Sequence, residues 1–160
     1  MSIAHGLVTV SESHVTGSTA HGSGGFSLVT SGKLIITQSS VISFSSTVQN
    51  ADGQEGVLYD GGAITVDGSA EVRVVHSRIE SSHSSSEGGC FAFVGGELHL
   101  EYATIEGCTT RDVGRATVLH MHYQLNHILL VATFTEFRML SCEGNMFQLQ
   151  GPTDEVHRAA

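Results

Sequence analysis

The sequence predicts an all-β fold built as a parallel β-solenoid, and three observations predict it. Short runs alternate apolar and polar residues, the period of two that marks a strand with one buried face. A fixed spacing recurs: two inward residues one apart, then a further aliphatic five residues on. It is met at Val8, Val10 and Val15, at Leu34, Ile36 and Val41, at Val72, Val74 and Ile79, and at Leu98, Leu100 and Ile105. Finally, no segment carries a helical period, while Gly (19 residues), Ser and Thr are abundant and charged residues make up only 14%. A repeat of roughly 20–50 residues cannot bury its own apolar face and must stack on its neighbours. Equivalent residues then form columns with a rise of about 4.8 Å per strand.

Each repeat can be justified in turn. The clearest runs from Gly88-Gly89 through the apolar stretch Cys90 to Val94, the glycine corner Gly95-Gly96, the strand Glu97 to Glu101, and Ile105. The third spans residues 61–87, from Gly61-Gly62 to the serine-rich bend Ser81 to Ser86. The second spans 24–46, with Phe26, Leu28 or Val29 in its first strand. The first, over 1–23, keeps Leu7 to Val10 and Val15 but lacks a first strand. The final aliphatics Val15, Val41, Ile79 and Ile105 are 26, 38 and 26 residues apart. The long step predicts an inserted loop over Gln49 to Tyr59. Column order places Val10, Ile36, Val74 and Leu100 above one another, and Val15, Val41, Ile79 and Ile105 likewise. The glycine pairs suit corners that need positive φ or close backbone approach.

Beyond Arg111 the pattern weakens. A fifth repeat opens near Gly114, with Leu119 and Met121 inward, His120 and His122 outward, and Leu129 and Phe134 at the five-residue spacing. Gly144 to Leu149 reads as the first strand of a sixth, and Pro152 with the tail 153–160 reads as an ending. The chain is therefore read as a single domain over 1–160, with clear repeats over 6–110, irregular ones over 111–151 and a tail over 152–160.

Two stretches carry a family resemblance: Gly61-Gly62-Ala63-Ile64-Thr65-Val66 and Ser77-Arg78-Ile79-Glu80-Ser81-Ser82. They resemble the Gly-Gly-Ala-Ile…Ser-x-Ile/Phe-x-x-Asn repeats of right-handed parallel β-helix proteins. Closest in character are polymorphic-outer-membrane-protein-like repeats and the β-helix regions of large surface proteins in bacteria and protists. The resemblance covers about residues 6–110 and implies a right-handed parallel β-helix of about four clear coils plus one or two irregular ones. One departure is that the Asn common at the turn after the strand is replaced by Gly17, Ser43, Ser81 and Gly107. The architecture hosts polysaccharide lyases, hydrolases, phage tailspikes and adhesins alike, so it does not specify an activity. It favours an extracellular or cell-surface location. Met1 to Gly6 offers neither a basic n-region nor an apolar h-region, so no signal peptide is read there.

Composition narrows the partners. The formal net charge is −9, Lys33 is the single lysine, and the six arginines form no cluster. Nucleic-acid binding needs phosphate-neutralising cations and is excluded as an expectation. The longest apolar run, Ile128 to Ala132, is too short to span a bilayer, so no membrane insertion is expected. Three cysteines, Cys90, Cys108 and Cys142, are no disulfide framework. Column order does not stack Cys90 on Cys108, so free thiols are expected, with a single disulfide as the alternative.

The best polar constellation follows from the alternation. His99 lies between two inward leucines and points outward, Arg73 holds the matching place one repeat earlier, and Glu71, Glu97 and Glu101 flank them on the same face. Carboxylates beside a cation can do general acid–base work or bind a sugar. A solvated β face on which opposite charges pair across adjacent strands explains the same residues. Glu80 and Glu106 also stack and could share Ca²⁺, although the matching positions Thr16 and Ile42 carry no carboxylate. His120 and His122 share one side of a strand but lack further zinc ligands at suitable spacing, with His127 and Cys142 as arbitrary additions. His5, His14, His21, His76 and His83 are read as scattered and exposed. No nucleophile elbow, P-loop, dinucleotide fingerprint or HExxH occurs, so no cofactor, metal or catalytic residue is assigned.

The expected function is that of a non-catalytic surface or scaffold segment, part of a larger protein. It offers the wall of Glu71, Arg73, Glu97, His99 and Glu101 to a glycan or a surface protein. Its ends make end-to-end contacts or meet flanking coils. The rival is a polysaccharide lyase or glycoside hydrolase of the β-helix type. Against that rival stands the first-strand wall, read as Leu28, Thr65 and Ala92.

Overall fold

The computed structural model describes residues 1–17, 19–20, 25–38, 40–43, 46–47, 61–84, 88–111, 116–122, 130–142 and 145–150. The predicted loop Gln49 to Tyr59, the tail 152–160, Gly114, His21, His127, Leu129 and Gly144 lie outside them.

As the period-two patterning predicts, the chain is all-β, and no helix occurs among the described residues. The strands are β1 (Ser2–Ser11), β2 (His14–Val15), β3 (Thr19–Ala20), β4 (Phe26–Thr37), β5 (Val41–Ser43), β6 (Ser46–Thr47), β7 (Ile64–Gly68), β8 (Glu71–Val75) and β9 (Arg78–Glu80). They continue with β10 (His83–Ser84), β11 (Phe91–Val94), β12 (Gly96–Glu101), β13 (Thr104–Glu106), β14 (Thr109–Thr110), β15 (Ala116–His122), β16 (Leu130–Thr135), β17 (Arg138–Leu140) and β18 (Asn145–Gln150). They pair in three sheets. The largest, curled into a half-barrel, runs β16-β12-β8-β4-β7-β11-β15-β18, with β1 also on β4. A second runs β17-β13-β9-β5-β2, and a third β14-β10-β6-β3. The pairings among the described residues are parallel.

The large sheet curls because β4 serves two ladders. Its first part, Phe26 to Thr30, pairs with β7, and Lys33 to Ile36 pairs with β8. Between them Thr30 takes φ 65°, and the residue paired with it, Gly68, takes φ 94°. One repeat later the same corner falls at Gly96, with φ +86° and an ideal Cβ only 2.4 Å from the Ala70 carbonyl oxygen. Only glycine meets both conditions without strain.

The register builds apolar columns. Val8, Leu34, Val72, Leu98 and Ala132 are successive partners, as are Val10, Ile36, Val74, Leu100 and Phe134. Phe26, Ile64, Phe91 and Leu119 form another. Leu28, Leu34, Ile36, Ile64, Phe91, Phe93, Leu98 and Ile105 are fully or almost fully buried. Each buried aliphatic or aromatic of this size contributes about 1.5–3 kcal/mol of transfer free energy. In the weakly patterned region it is Ala132, Phe134 and Met139 that continue the columns.

Several expectations are corrected. The column through Val15, Ile79, Ile105 and Met139 takes Ile42, not Val41. Six residues separate Ile36 from Ile42, against five in the other repeats. The extra one is taken up at a bend where Gln38 has φ 55° and Ser40 is buried. The Ser40 hydroxyl lies 2.8 Å from the Thr37 carbonyl oxygen and 3.3 Å from that of Val10, and it accepts the Ser13 N–H at 3.2 Å. The same shift puts Ser43 inside β5, while Gly17, Ser81 and Gly107 take the positive φ of the later bend. Leu28 points inward, and Ser27 is the neighbour of Thr65. His120 keeps the outward register place that the alternation predicts, in the column Thr65, Ala92, His120, but it is fully buried there, as is Ala92. The His122 side chain lies outside the described ones. Cys90 and Cys108 form a disulfide with Cα atoms 5.5 Å apart, within the usual span. They are not rungs of one column. They are the two ends of one repeat, which its three strands fold back toward each other.

Candidate functional site

The outward positions of β8 and β12 bring together the charged residues that the alternation singles out. In the register Glu71 pairs with Glu97, Arg73 with His99, and Glu101 with Val75. Inward neighbours at Val72, Val74, Leu98 and Leu100 leave these side chains only the other face. Arg73 and Glu101 are exposed, and Glu71, Glu97 and His99 half-buried.

The wall is organised around Glu71. One of its carboxylate oxygens accepts from Lys33 Nζ at 2.7 Å and the other from Arg73 Nε at 2.6 Å. Burial by itself would raise the Glu71 pKa, but the hydrogen bonds and charges of Lys33 and Arg73 outweigh it and hold the carboxyl below the ordinary glutamate value. Glu71 is thus an ionised, doubly held carboxylate, the opposite of a general acid kept protonated near neutrality. One repeat on, His99 Nε2 lies 3.2 Å from a Glu97 carboxylate oxygen, a looser contact between two side chains of the same strand. Lys33 is a member that the sequence reading leaves out. It precedes the inward Leu34 as Glu71 precedes Val72, so the same rule finds it.

The other sequence candidates resolve differently. Arg78 stands between Glu80, at 2.9 Å, and Glu106. Glu80 and Glu106 do pair across β9 and β13, with a guanidinium between them. Among the described residues no group of three or more His, Cys, Asp or Glu side chains is placed to hold a metal ion.

A second feature borders the wall. Glu12, Gln38, His76, Tyr102 and Glu136 each lie two residues past the second inward residue of their repeat, and each has φ between 47° and 55°. Their side chains line one corner. The rings of His76 and Tyr102 stack with centroids 4.7 Å apart and planes 2° from parallel. The next member, Glu136, is not aromatic, and there a groove of about 370 Å³ opens, lined by Tyr102, Ala103, Thr104, Glu136, Phe137 and Arg138. Neither Glu136 nor Arg138 has an ion-pair partner among the described residues. The groove gathers an aromatic face, a hydroxyl, a carboxylate and a guanidinium, next to the exposed Glu101 of the wall. The sequence signal for it is the shared offset from the inward residues, visible once the repeats are superposed.

No family model, no curated protein and no solved structure matches the chain. No helix among the described residues is long and apolar enough to cross a membrane.

Proposed function

We propose that this chain is a non-catalytic surface or scaffold segment of a larger protein. In this reading it is a right-handed parallel β-helix whose outer wall contacts a glycan or a surface protein. The β-helix reading is supported by parallel columns that advance one repeat at a time through all three sheets. The observation that carries the function is the contrast along the outer surface. The wall acid Glu71 is neutralised by Lys33 and Arg73, whereas the groove beside it keeps Tyr102, Thr104, Glu136 and Arg138 available. Unpaired donors and acceptors around an aromatic face suit reversible recognition of a polyhydroxylated ring, which both donates and accepts hydrogen bonds.

The lyase or hydrolase reading rests on one contact, that of His99 with Glu97. A single experiment separates the two. Neutral and acidic oligosaccharides are incubated with the protein and followed by saturation-transfer NMR and by assays for reducing ends and unsaturated products. Binding without turnover, lost in Tyr102→Ala and kept in Tyr102→Phe, is the expected result. Turnover that disappears in His99→Ala or Glu97→Gln would overturn the non-catalytic reading.

A further inference from the structure

The three cysteines occupy related places that neither the wall nor the groove explains. Cys108 lies three residues past the inward Ile105, and Cys142 three residues past the inward Met139. Ile105 and Met139 are partners in the register of β13 and β17, and the Gly107 N–H donates to the Leu140 carbonyl oxygen at 3.0 Å. Cys108 and Cys142 are therefore equivalent residues on neighbouring strands. Ser82 holds the same place one repeat earlier, three residues past Ile79, and the Thr109 N–H donates to its carbonyl oxygen. Ser82 and Cys142 aim their side chains alike: each donates back to the carbonyl oxygen two residues earlier, Ser82 to Glu80 at 3.4 Å and Cys142 to Leu140 at 3.3 Å. Neighbouring parallel strands are about 4.8 Å apart, inside the Cα span of roughly 4.4–6.8 Å that a disulfide bridges. Cys108 is already bonded to Cys90. Cys142 is a free, half-buried thiol packed against the core.

We infer that Cys90, Cys108 and Cys142 form an intramolecular disulfide-exchange site, in which Cys108 changes partner between Cys90 of its own repeat and Cys142 of the next. Cys142 gives its proton to water or buffer, and the thiolate attacks Cys108 Sγ. A Cys108–Cys142 bond forms as the Cys90–Cys108 bond breaks, and the released pair of electrons stays on Cys90, which takes up a proton. One disulfide and one thiol stand on each side, so no oxidant or reductant is consumed. In-line attack requires the Cys108 side chain to rotate, because Cys142 approaches from the neighbouring repeat while Cys90 lies within the same one. β17, which ends two residues before Cys142, is the outermost strand of its sheet among the described residues and is bonded there on one side only, which gives this segment the lower opening cost. The two states differ mechanically. The first closes one repeat on itself across 18 residues, and the second ties the edge repeat to its neighbour across the 34 residues from 108 to 142.

Tryptic mapping separates the two states without ambiguity. No Lys or Arg lies between Arg78 and Arg111, so Cys90 and Cys108 share peptide 79–111, while Cys142 falls in peptide 139–158. The native monomer is incubated at a series of pH values, blocked with N-ethylmaleimide, and digested. The expected result is conversion of an internally bridged 79–111 into a species cross-linked to 139–158 with Cys90 alkylated. Its rate should rise with pH, because the thiolate and not the thiol attacks. Quantitative alkylation of Cys142 at pH 8.5 with no cross-link, or a cross-link confined to dimers, overturns the inference. Cys90→Ser gives an independent reading: glutathione disulfide should close Cys108–Cys142 in the folded monomer, and persistence of two free thiols there also overturns it. If that variant fails to fold, the wild-type mapping decides alone.

Discussion

Two cations divide the carboxylate of Glu71 between them, and this sets the sign of its pH dependence. Its folded pKa is lowered, so the contribution is present above the unfolded glutamate pKa of about 4.3 and is lost as pH falls through the lower folded value. Glu71→Gln should therefore destabilise the protein near neutrality, by up to about 1 kcal/mol for a partly exposed pair. The gap from wild type should close in urea titrations taken well below pH 4. A gap that persists unchanged in strong acid would show that the glutamine disturbs packing rather than charge. Ile42 offers a larger effect. Ile42→Ala should cost about 2–5 kcal/mol in chemical denaturation, as for other fully buried aliphatics. The wall was legible in the sequence because a charged residue between two inward ones has one face left to it. Lys33 follows the same rule but is hidden by a repeat that shows no second charge beside it. Ile42 is hidden differently: Val41 and Ile42 are both suitable core residues, and only the extra residue at the Ser40 bend chooses between them.

Among the elements, β4 carries the sheet around its corner, and the corners tolerate little. Gly96→Ala places a Cβ against the Ala70 carbonyl oxygen in a backbone conformation that alanine avoids. A loss of about 1–3 kcal/mol is expected, read as a lower urea midpoint with an unchanged slope. Ser40→Ala removes the buried hydroxyl that receives the N–H of the half-buried Ser13, and should cost about 0.5–1.5 kcal/mol for the lost hydrogen bond. Strand existence and parallel stacking could be read from period and spacing, since both are properties of a local pattern. The burial of His120 could not, because a histidine alternating with Leu119 and Met121 takes the face that reads as exposed. What its column neighbour Ala92 shows is that β11 is buried on both faces, a tertiary fact that alternation does not encode.

For the whole molecule, the Cys90–Cys108 bond restricts the unfolded chain. Closing a loop of 18 residues stabilises by about 3 kcal/mol in the chain-entropy description. Reduction, or Cys90→Ser, should lower the unfolding free energy by about that amount while leaving the far-ultraviolet spectrum of a β protein intact. A reduced protein with unchanged stability would mean that the folded state strains to accommodate the bond. The disulfide was not legible because it joins the beginning of a repeat to its end, and column order relates only equivalent positions. The corner series of Glu12, Gln38, His76, Tyr102 and Glu136 has a wider consequence. Five chemically unlike side chains accept one left-handed backbone conformation there, so the bend is imposed by the strands on either side and not by the residue that makes it. Foldability and surface chemistry are thereby uncoupled along that edge. It is a rail of regular pitch on which mutation can rewrite what the protein touches, one letter at a time, without consulting the core.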